Sequence, residues 1–400
     1  MVKDIKLKVD AKFVNKYRGG FPLIFSDAIS NLKDLKEEGS VVKLVDEKNA
    51  FIAKGYYGKQ NKGYGWILSK NEQETFDKKF FKNKITAALS RRANLFADEE
   101  TTAFRVFNGE GDGVGGITID YFEGFYLINW YSLGIYHYRE AIIEALKESV
   151  DFRGIYQKKR FDAKGQYMME DDDFVAGERG EFPLIVKENG VKFAVYLNEG
   201  AMVGVFLDQR EVRKTIRDKY AKGKTVLNTF SYTGAFSVFA ALGGATKTTS
   251  VDLANRSKPK TIEQFSLNGI DYDAQDIIVE DVFHYFKYAG RKNLKFDLVV
   301  LDPPSFARSK KVVFSADKDY TKLLKEAIAI TEDDGVIVAS TNSSSFGMSK
   351  FKGFIQKAFE DSGHNYTIVE QFSLPEDFRT VKEYPQGNYL KVVFVKKLSL

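Results

Sequence analysis

Thr225-Val226-Leu227-Asn228-Thr229, then Phe230-Ser231-Tyr232-Thr233-Gly234, then Ala235-Phe236-Ser237, reads as a buried strand, a turn of small and aromatic residues, and the start of a helix. In open α/β sheets, ligands lie at such carboxyl ends. Gly234 would let the backbone approach a bound cofactor closely, and Asn228, Phe230, Tyr232 and Thr233 are the turn's other candidate contacts. Only one glycine occupies the turn, so the G-x-G-x-x-G dinucleotide signature is missing. A plain strand-to-helix turn reads the same way locally, and the argument therefore needs the next strands.

Those strands supply an ordered series of acids. Roughly twenty residues on, Val251-Asp252 ends the next β-type run, where a carboxylate can accept hydrogen bonds from both hydroxyls of an adenosine ribose, with Leu253 beside it. Enzymes that use NAD and enzymes that use S-adenosylmethionine (SAM) share that arrangement. Asp281-Val282 follows the run Ile277 to Val279, placing a carboxylate for an adenine amino group and an apolar side chain for the ring. An isolated aspartate there would more often be a helix cap. Asp297-Leu298-Val299-Val300-Leu301 then runs into Asp302-Pro303-Pro304-Ser305-Phe306. The prolines fix φ and hold a short rigid loop. Such a loop can present carbonyl groups to a base and let Phe306 stack on it. Arg308, Lys310 and Lys311 follow at once, as a phosphate-contacting segment or a solvated loop.

Working outward, β-type runs at Thr225–Thr229, Thr248–Val251, Ile277–Val279, Leu298–Leu301 and Val336–Ser340 alternate with helical patterns, the rhythm of a doubly wound α/β domain. Tyr366–Phe372 and Tyr389–Val395 lie close together without a long helix between them and suggest an antiparallel pair at the sheet edge. Upstream, two alternating runs within Phe182 to Leu197 flank Asn189-Gly190, a dipeptide suited to a type I′ hairpin, and the last domain boundary is placed there. Residues 1 to 72 carry short β-type runs at Val41–Val45 and Phe51–Gly55, punctuated by glycines, as a small β-rich domain would. Their basic segment, with Lys12, Lys16 and Arg18 before Gly19-Gly20-Phe21-Pro22, is either a surface for phosphates and bases or a solvated loop. Between them, residues 73 to 188 open with one amphipathic helix over Phe76 to Phe96. Strand-like runs and a helix at Tyr136 to Glu148 follow, the order of a small α+β domain.

Composition narrows the classes. With 44% hydrophobic residues and only 7 prolines in 400, the chain is built of packed domains, and its length calls for two or three. No apolar stretch approaches a membrane span and no signal-type segment opens the chain, so a soluble, cytoplasmic protein is expected. A net charge of +5 permits a nucleic-acid partner without demanding one. No clustered His and acid ligands point to a metal, and none is expected. The absence of cysteine excludes disulfides, thiolate metal sites and any cysteine nucleophile from this chain.

Over nearly its whole length the sequence resembles the RlmI-like family of class I SAM-dependent ribosomal RNA methyltransferases. Arg18-Gly19-Gly20-Phe21-Pro22 through Phe25-Ser26 is similar to the opening of the family's PUA domain, and Gly111-Asp112-Gly113-Val114-Gly115-Gly116-Ile117-Thr118-Ile119-Asp120 to its central domain. Phe206-Leu207-Asp208-Gln209-Arg210 resembles the segment that precedes the SAM fold, and Tyr384-Pro385-Gln386-Gly387-Asn388-Tyr389-Leu390-Lys391 the terminal motif. The resemblance implies a PUA-like RNA-binding domain over 1–72, an α+β EEHEE domain over 73–188, and an α/β Rossmann-like SAM-dependent methyltransferase domain over 189–400. It also implies SAM as cofactor, with Asp208, Gln209 and Arg210 joining the strand-end residues around it. RNA, of the 23S species in related enzymes, is the implied partner, contacted by Lys16, Arg18, Phe306, Arg308 and Lys310, and homodimerisation is a family-level expectation.

One departure is chemically decisive. The family's best-known activity is 5-methylation of cytosine, whose C5 is a poor nucleophile until a cysteine thiolate adds to C6. Here the family cysteine falls in Ser340-Thr341-Asn342-Ser343, with Asn342 at its position, and asparagine cannot form that adduct. His137, His284 and His364, the three histidines, stand outside any evident base motif. Chemistries needing no adduct are methylation of a ring nitrogen such as guanine N7 and of an exocyclic amine, with Asp302, Pro303, Pro304 and Asn342 as the catalytic candidates. Guanine-N7 ribosomal RNA methyltransferases resemble this chain in carrying asparagine after the corresponding strand. The alternatives from other classes are an inactive RNA- or ribosome-binding protein that kept the SAM fold, and a nicotinamide-dependent oxidoreductase, which the missing glycine signature disfavours.

Overall fold

Parallel strands buried on both faces need near-continuous apolar runs, and the second half of the chain supplies them. The computed structural model describes residues 4–60, 63–161, 172–200, 202–308 and 313–399. The chain divides into two units: Met1–Val186 with Val195–Val203 and Glu376–Gly387, and Lys187–Ala194 with Gly204–Pro375 and Asn388–Leu400.

In the first unit, β1 (Ile5–Lys8), β2 (Leu23–Ile24), β3 (Val41–Val45), β4 (Phe51–Gln60) and β5 (Gly63–Ser69) form a sheet ordered β1-β3-β4-β5-β2. A second sheet, ordered β10-β9-β8-β7-β6, contains β6 (Ala103–Asn108), β7 (Ile117–Phe122), β8 (Phe125–Trp130), β9 (Gly154–Lys159) and β10 (Phe174–Gly177). Both contribute to one hydrophobic core that includes Tyr56, Trp66, Phe107 and Trp130. The glycine-rich run Gly111 to Gly116 is a close-packing device within it. The Tyr56 hydroxyl donates to the Gly115 carbonyl at 2.8 Å, and a Cβ on Gly115 would lie 2.1 Å from the Trp66 ring.

Two expectations change here. The basic segment is no loop: Ala11–Arg18 is a helix, and the Asp10 side chain caps it by accepting the Lys12 N–H. The amphipathic run from Phe76 to Phe96 is two helices, Lys78–Arg91 and Ala93–Phe96, broken at Arg92. There the buried Arg92 guanidinium makes two hydrogen bonds to Asp112, at 2.8 and 2.7 Å, and a third to the Asp377 carbonyl at 2.6 Å.

The second unit begins in the hairpin of β11 (Leu184–Glu188) and β12 (Val191–Val195), whose turn residues Asn189 and Gly190 have φ of 49° and 81°, both left-handed as a type I′ turn requires. Its large sheet contains β13 (Thr225–Thr229), β14 (Lys247–Asp252), β15 (Asp276–Val279) and β16 (Phe296–Leu301). A short antiparallel hairpin, β17 (Phe306–Arg308) with β18 (Val313–Ser315), comes next in the chain. The large sheet resumes with β19 (Thr331–Thr341), β20 (Tyr366–Phe372) and β21 (Lys391–Lys397), in the order β15-β14-β13-β16-β19-β21-β20. The first five are parallel, whereas β21 runs antiparallel to both β19 and β20. The expected antiparallel pair is present, with β20 at the edge. Between β20 and β21 the chain passes through Glu376–Gly387, which belong to the first unit. Among the described residues no helix is long and apolar enough to cross a membrane.

Candidate active site

The turn after β13 is held in an uncommon backbone conformation. Phe230 and Tyr232 both have φ of 52°, and Gly234 has φ of 79°. Left-handed residues other than glycine are costly and cluster where function requires a shape. Two backbone hydrogen bonds fix this one, Ser231 N–H to the Val251 carbonyl at 3.1 Å and Gly234 N–H to the Ser231 carbonyl at 2.8 Å. The Thr233 hydroxyl donates to the Gly204 carbonyl at 2.6 Å. Asn228 lies buried beneath, its amide donating to the Ser237 hydroxyl at 3.0 Å and so tying β13 to the helix Ala235–Leu242.

Asp252 sits at the end of β14, and each of its oxygens accepts one backbone N–H, from Tyr232 and from Ala254, both at 2.9 Å. These bonds orient the carboxylate and leave lone pairs for further donors. Leu253 is 57% exposed beside it, and Phe206, 44% exposed, packs its ring 5.3 Å from that of Tyr232. Phe206 was not singled out in the sequence, although it heads the Phe206-Leu207-Asp208-Gln209-Arg210 segment.

A Cβ on Gly234 would lie 2.5 Å from Thr261 Cγ2, on the helix Ser257–Leu267. Helix packing and the positive φ therefore require glycine here in their own right. Asp281 is the cap of the helix Val282–Arg291, one oxygen accepting the Phe283 N–H at 2.9 Å and the His284 N–H at 3.2 Å. Val282 is buried in the core with Tyr285 and Phe286.

The second cluster gathers around Asp302. Because Leu301 of β16 pairs with Ala339 of β19, the next residues, Asp302 and Ser340, emerge side by side. The buried Gln209 amide donates to Asp302 Oδ2 at 3.2 Å and to the Ser340 hydroxyl at 2.9 Å. Beneath, the Tyr320 hydroxyl reaches the Ser340 carbonyl at 2.8 Å. Burial, helped by neighbouring Asp208 and opposed by Ser340, Arg213 and Gln209, leaves the Asp302 carboxyl pushed up to about 6. Asp208 itself accepts the Tyr389 hydroxyl at 2.9 Å. Arg210 is buried and pairs with Glu211 at 3.3 Å. The Ser305 hydroxyl donates to the Asn342 carboxamide oxygen, so the proline loop and the end of β19 meet at these two residues. The exposed Asn342 keeps its amide hydrogens for another acceptor.

The nucleic-acid candidates are dispersed. Phe306 is 63% exposed. Arg308 ends β17, and Lys310 lies outside the described residues. In the first unit the Lys16 ammonium rests 3.9 Å from the centre of the Phe21 ring, and Arg18 pairs with Asp46 at 3.1 Å.

Numbered within its own sheet, the second unit has the strand order 3-2-1-4-5-7-6. It departs from the dinucleotide-binding order in that the last strand is inserted antiparallel next to the fifth. That sheet, an oriented carboxylate at the second strand and an acid-proline loop at the fourth define a SAM-dependent methyltransferase. The chain belongs to the S-adenosylmethionine-dependent methyltransferase family, whose model matches residues 143–392, and a PUA-like domain model matches residues 7–70. It is 63% identical over 384 residues to YwbD of Bacillus subtilis, provisionally named a ribosomal RNA large subunit methyltransferase, covering 96% of this chain and 97% of that one. It is 30% identical to ribosomal RNA large subunit methyltransferase I of Klebsiella pneumoniae, covering 92% of each. The crystal structure of SMU.776, described provisionally as a methyltransferase and complexed with SAH, superposes with a TM-score of 0.91 at 39% identity, covering 98% of this chain and 100% of that one.

Proposed function

We propose that the protein methylates a base nitrogen, guanine N7 in first place, in the RNA of the large ribosomal subunit, and that it does so in the cytoplasm. The observation that carries this reading is the pairing of Asn342 with Ser305 at the position where cytosine-C5 chemistry needs a thiol. The relatives' names, which refer to ribosomal RNA of the large subunit, support that substrate class, and within it 23S ribosomal RNA is the species proposed.

When bound, SAM supplies a methyl group on a sulfonium sulfur, which keeps the C–S bonding pair as the methyl leaves. The chain's own residues then have three tasks. Asp252 accepts the ribose hydroxyls, while Leu253 and Phe206 offer apolar surface to the adenine, with Asp281 at its amino edge. Phe306 stacks on the extruded base. Asn342 donates to an acceptor on that base, and guanine O6, next to N7 on the same edge, is such an acceptor. An in-plane lone pair on N7 needs no general base, so orientation and electrostatics suffice. Forming the N–C bond leaves the base cationic, and an ionised Asp302 offsets that charge. In this reading 1–72 helps to hold RNA, 73–188 is the central α+β domain and 189–400 performs the transfer.

The test is an assay with labelled SAM and undermodified ribosomal RNA, read by nucleoside mass spectrometry. The expected product is 7-methylguanosine. An N-methylated exocyclic amine would keep the nitrogen chemistry and move the atom, whereas 5-methylcytidine would overturn the reading. Loss of incorporation in an Asp302→Ala variant that still folds and binds SAM would count against an inactive RNA-binding protein.

A further inference from the structure

We propose that Gln209 and Ser340 are positioning residues that hold the Asp302 carboxylate charged and in one orientation during methyl transfer. The inference rests on the reading that an anionic Asp302 offsets the charge developing on the acceptor base.

Three observations converge. First, the Gln209 amide nitrogen is shared between Asp302 Oδ2, at 3.2 Å, and Ser340 Oγ, at 2.9 Å, so one NH2 group addresses both residues. The Ser340 hydroxyl also favours the charged Asp302 carboxyl. Second, Ser340 is fixed independently of Gln209: the Tyr320 hydroxyl donates to the Ser340 carbonyl at 2.8 Å and reaches the Leu301 carbonyl at 3.3 Å, stapling together the strand ends that carry Ser340 and Asp302. Third, the buried Gln209 carboxamide turns its NH2 end, and not its oxygen, toward Asp302.

The direction of the amide matters to Asp302. Turning the carboxamide over would set Oε1 against the Asp302 carboxylate, which repels it unless Asp302 is protonated. Amide orientation and carboxylate charge are therefore coupled, and the observed orientation is the one that favours the anion. The other charged groups that act on Asp302 divide: Asp208 opposes the anion, Arg213 supports it, and the buried Tyr320 hydroxyl stays neutral. Gln209 tips that balance through a direct hydrogen bond, and Ser340 through the hydroxyl that the same amide holds beside Asp302. Neither has to touch the cofactor to do so.

The experiment measures single-turnover methyl transfer to undermodified ribosomal RNA between about pH 5 and 9, with SAM affinity measured by calorimetry on the same full-length proteins. Gln209→Leu and Ser340→Ala are expected to move the acid limb of the rate profile upward by about one pH unit, because each removes a donor to the anion. SAM affinity is expected to stay within about threefold, a change too small to mark a lost cofactor hydrogen bond. Ser340→Thr keeps the hydroxyl and should restore the wild-type limb. Gln209→Glu preserves shape but adds a charge beside Asp302, so its limb should move higher than that of Gln209→Leu. An unmoved limb with weakened SAM binding would overturn the inference and make both residues cofactor ligands. Full activity in Asp302→Ala would instead sink the underlying reading of Asp302.

Discussion

Replacing Gly234 by alanine separates two explanations of a glycine in a cofactor turn. At φ of 79° an L-residue is strained, by about 1–2 kcal/mol. Its Cβ would meet Thr261 Cγ2 at 2.5 Å, and forcing a methyl group into packed surroundings adds about 1–3 kcal/mol. Alanine's narrower unfolded ensemble returns about 0.4–1 kcal/mol. The net expectation is a loss of roughly 1–4 kcal/mol. Thr261→Ala removes both atoms nearest the new Cβ, so in that background Gly234→Ala should cost only about 1 kcal/mol, the conformational part. Urea unfolding of the four proteins gives the coupling as a double-mutant cycle, and calorimetry gives SAM affinity. Equal losses in both backgrounds would refute the steric argument. Unchanged stability with SAM binding abolished would restore the opposite view, in which glycine makes room for the cofactor.

The buried pair below the site should be unforgiving: Arg213 makes two 2.7 Å bonds to Glu188 and one of 2.6 Å to the Phe206 carbonyl. Arg213→Leu strands a buried carboxylate and should lose about 3–5 kcal/mol in urea unfolding, most of it recovered by adding Glu188→Leu. Asp281→Ala removes a helix cap and should lower stability by about 1 kcal/mol; if SAM affinity falls as well, Asp281 serves both roles. Asp302 sets a pH dependence. Its folded value of about 6 lies above its ordinary 3.8, so the native state holds the proton more tightly than the unfolded chain. The stabilisation is complete below 3.8 and disappears as pH rises through about 6, a change of up to about 3 kcal/mol. Asp302→Asn should therefore gain on wild type in urea midpoint between about pH 4 and 7, and parallel midpoint curves would contradict the raised value.

The strand-helix alternation of the second unit could be read directly, because strands buried on both faces spell themselves as apolar runs such as Leu298 to Leu301. Ordered strand-end acids were equally visible, since their positions follow from where each run stops. What remained hidden depends on partners remote in sequence. Gln209 meets Asp302 from 93 residues away, and nothing local marks that contact. The helix breaks at Arg92, whose buried guanidinium bonds Asp112 and Asp377 from elsewhere in the chain. Local periodicity across Phe76 to Phe96 carries no trace of them. Gly115 stands in the sequence only as part of the Gly111 to Asp120 resemblance, and the Trp66 ring packed against it gives it its meaning.

The route of the chain between β20 and β21 bears on how the protein is made. Glu376–Gly387 belong to the first unit, where Tyr384 packs on Phe21 and Trp66 and the Asp377 side chain accepts the Arg105 N–H at 2.9 Å. The N-terminal unit therefore cannot finish during synthesis when its own early sequence has emerged. It must wait, with Arg92 and Trp66 incompletely covered, until the ribosome has delivered residues beyond Gly387. For the same reason a fragment cut after Val186 is an unfinished unit rather than a separable RNA-binding module.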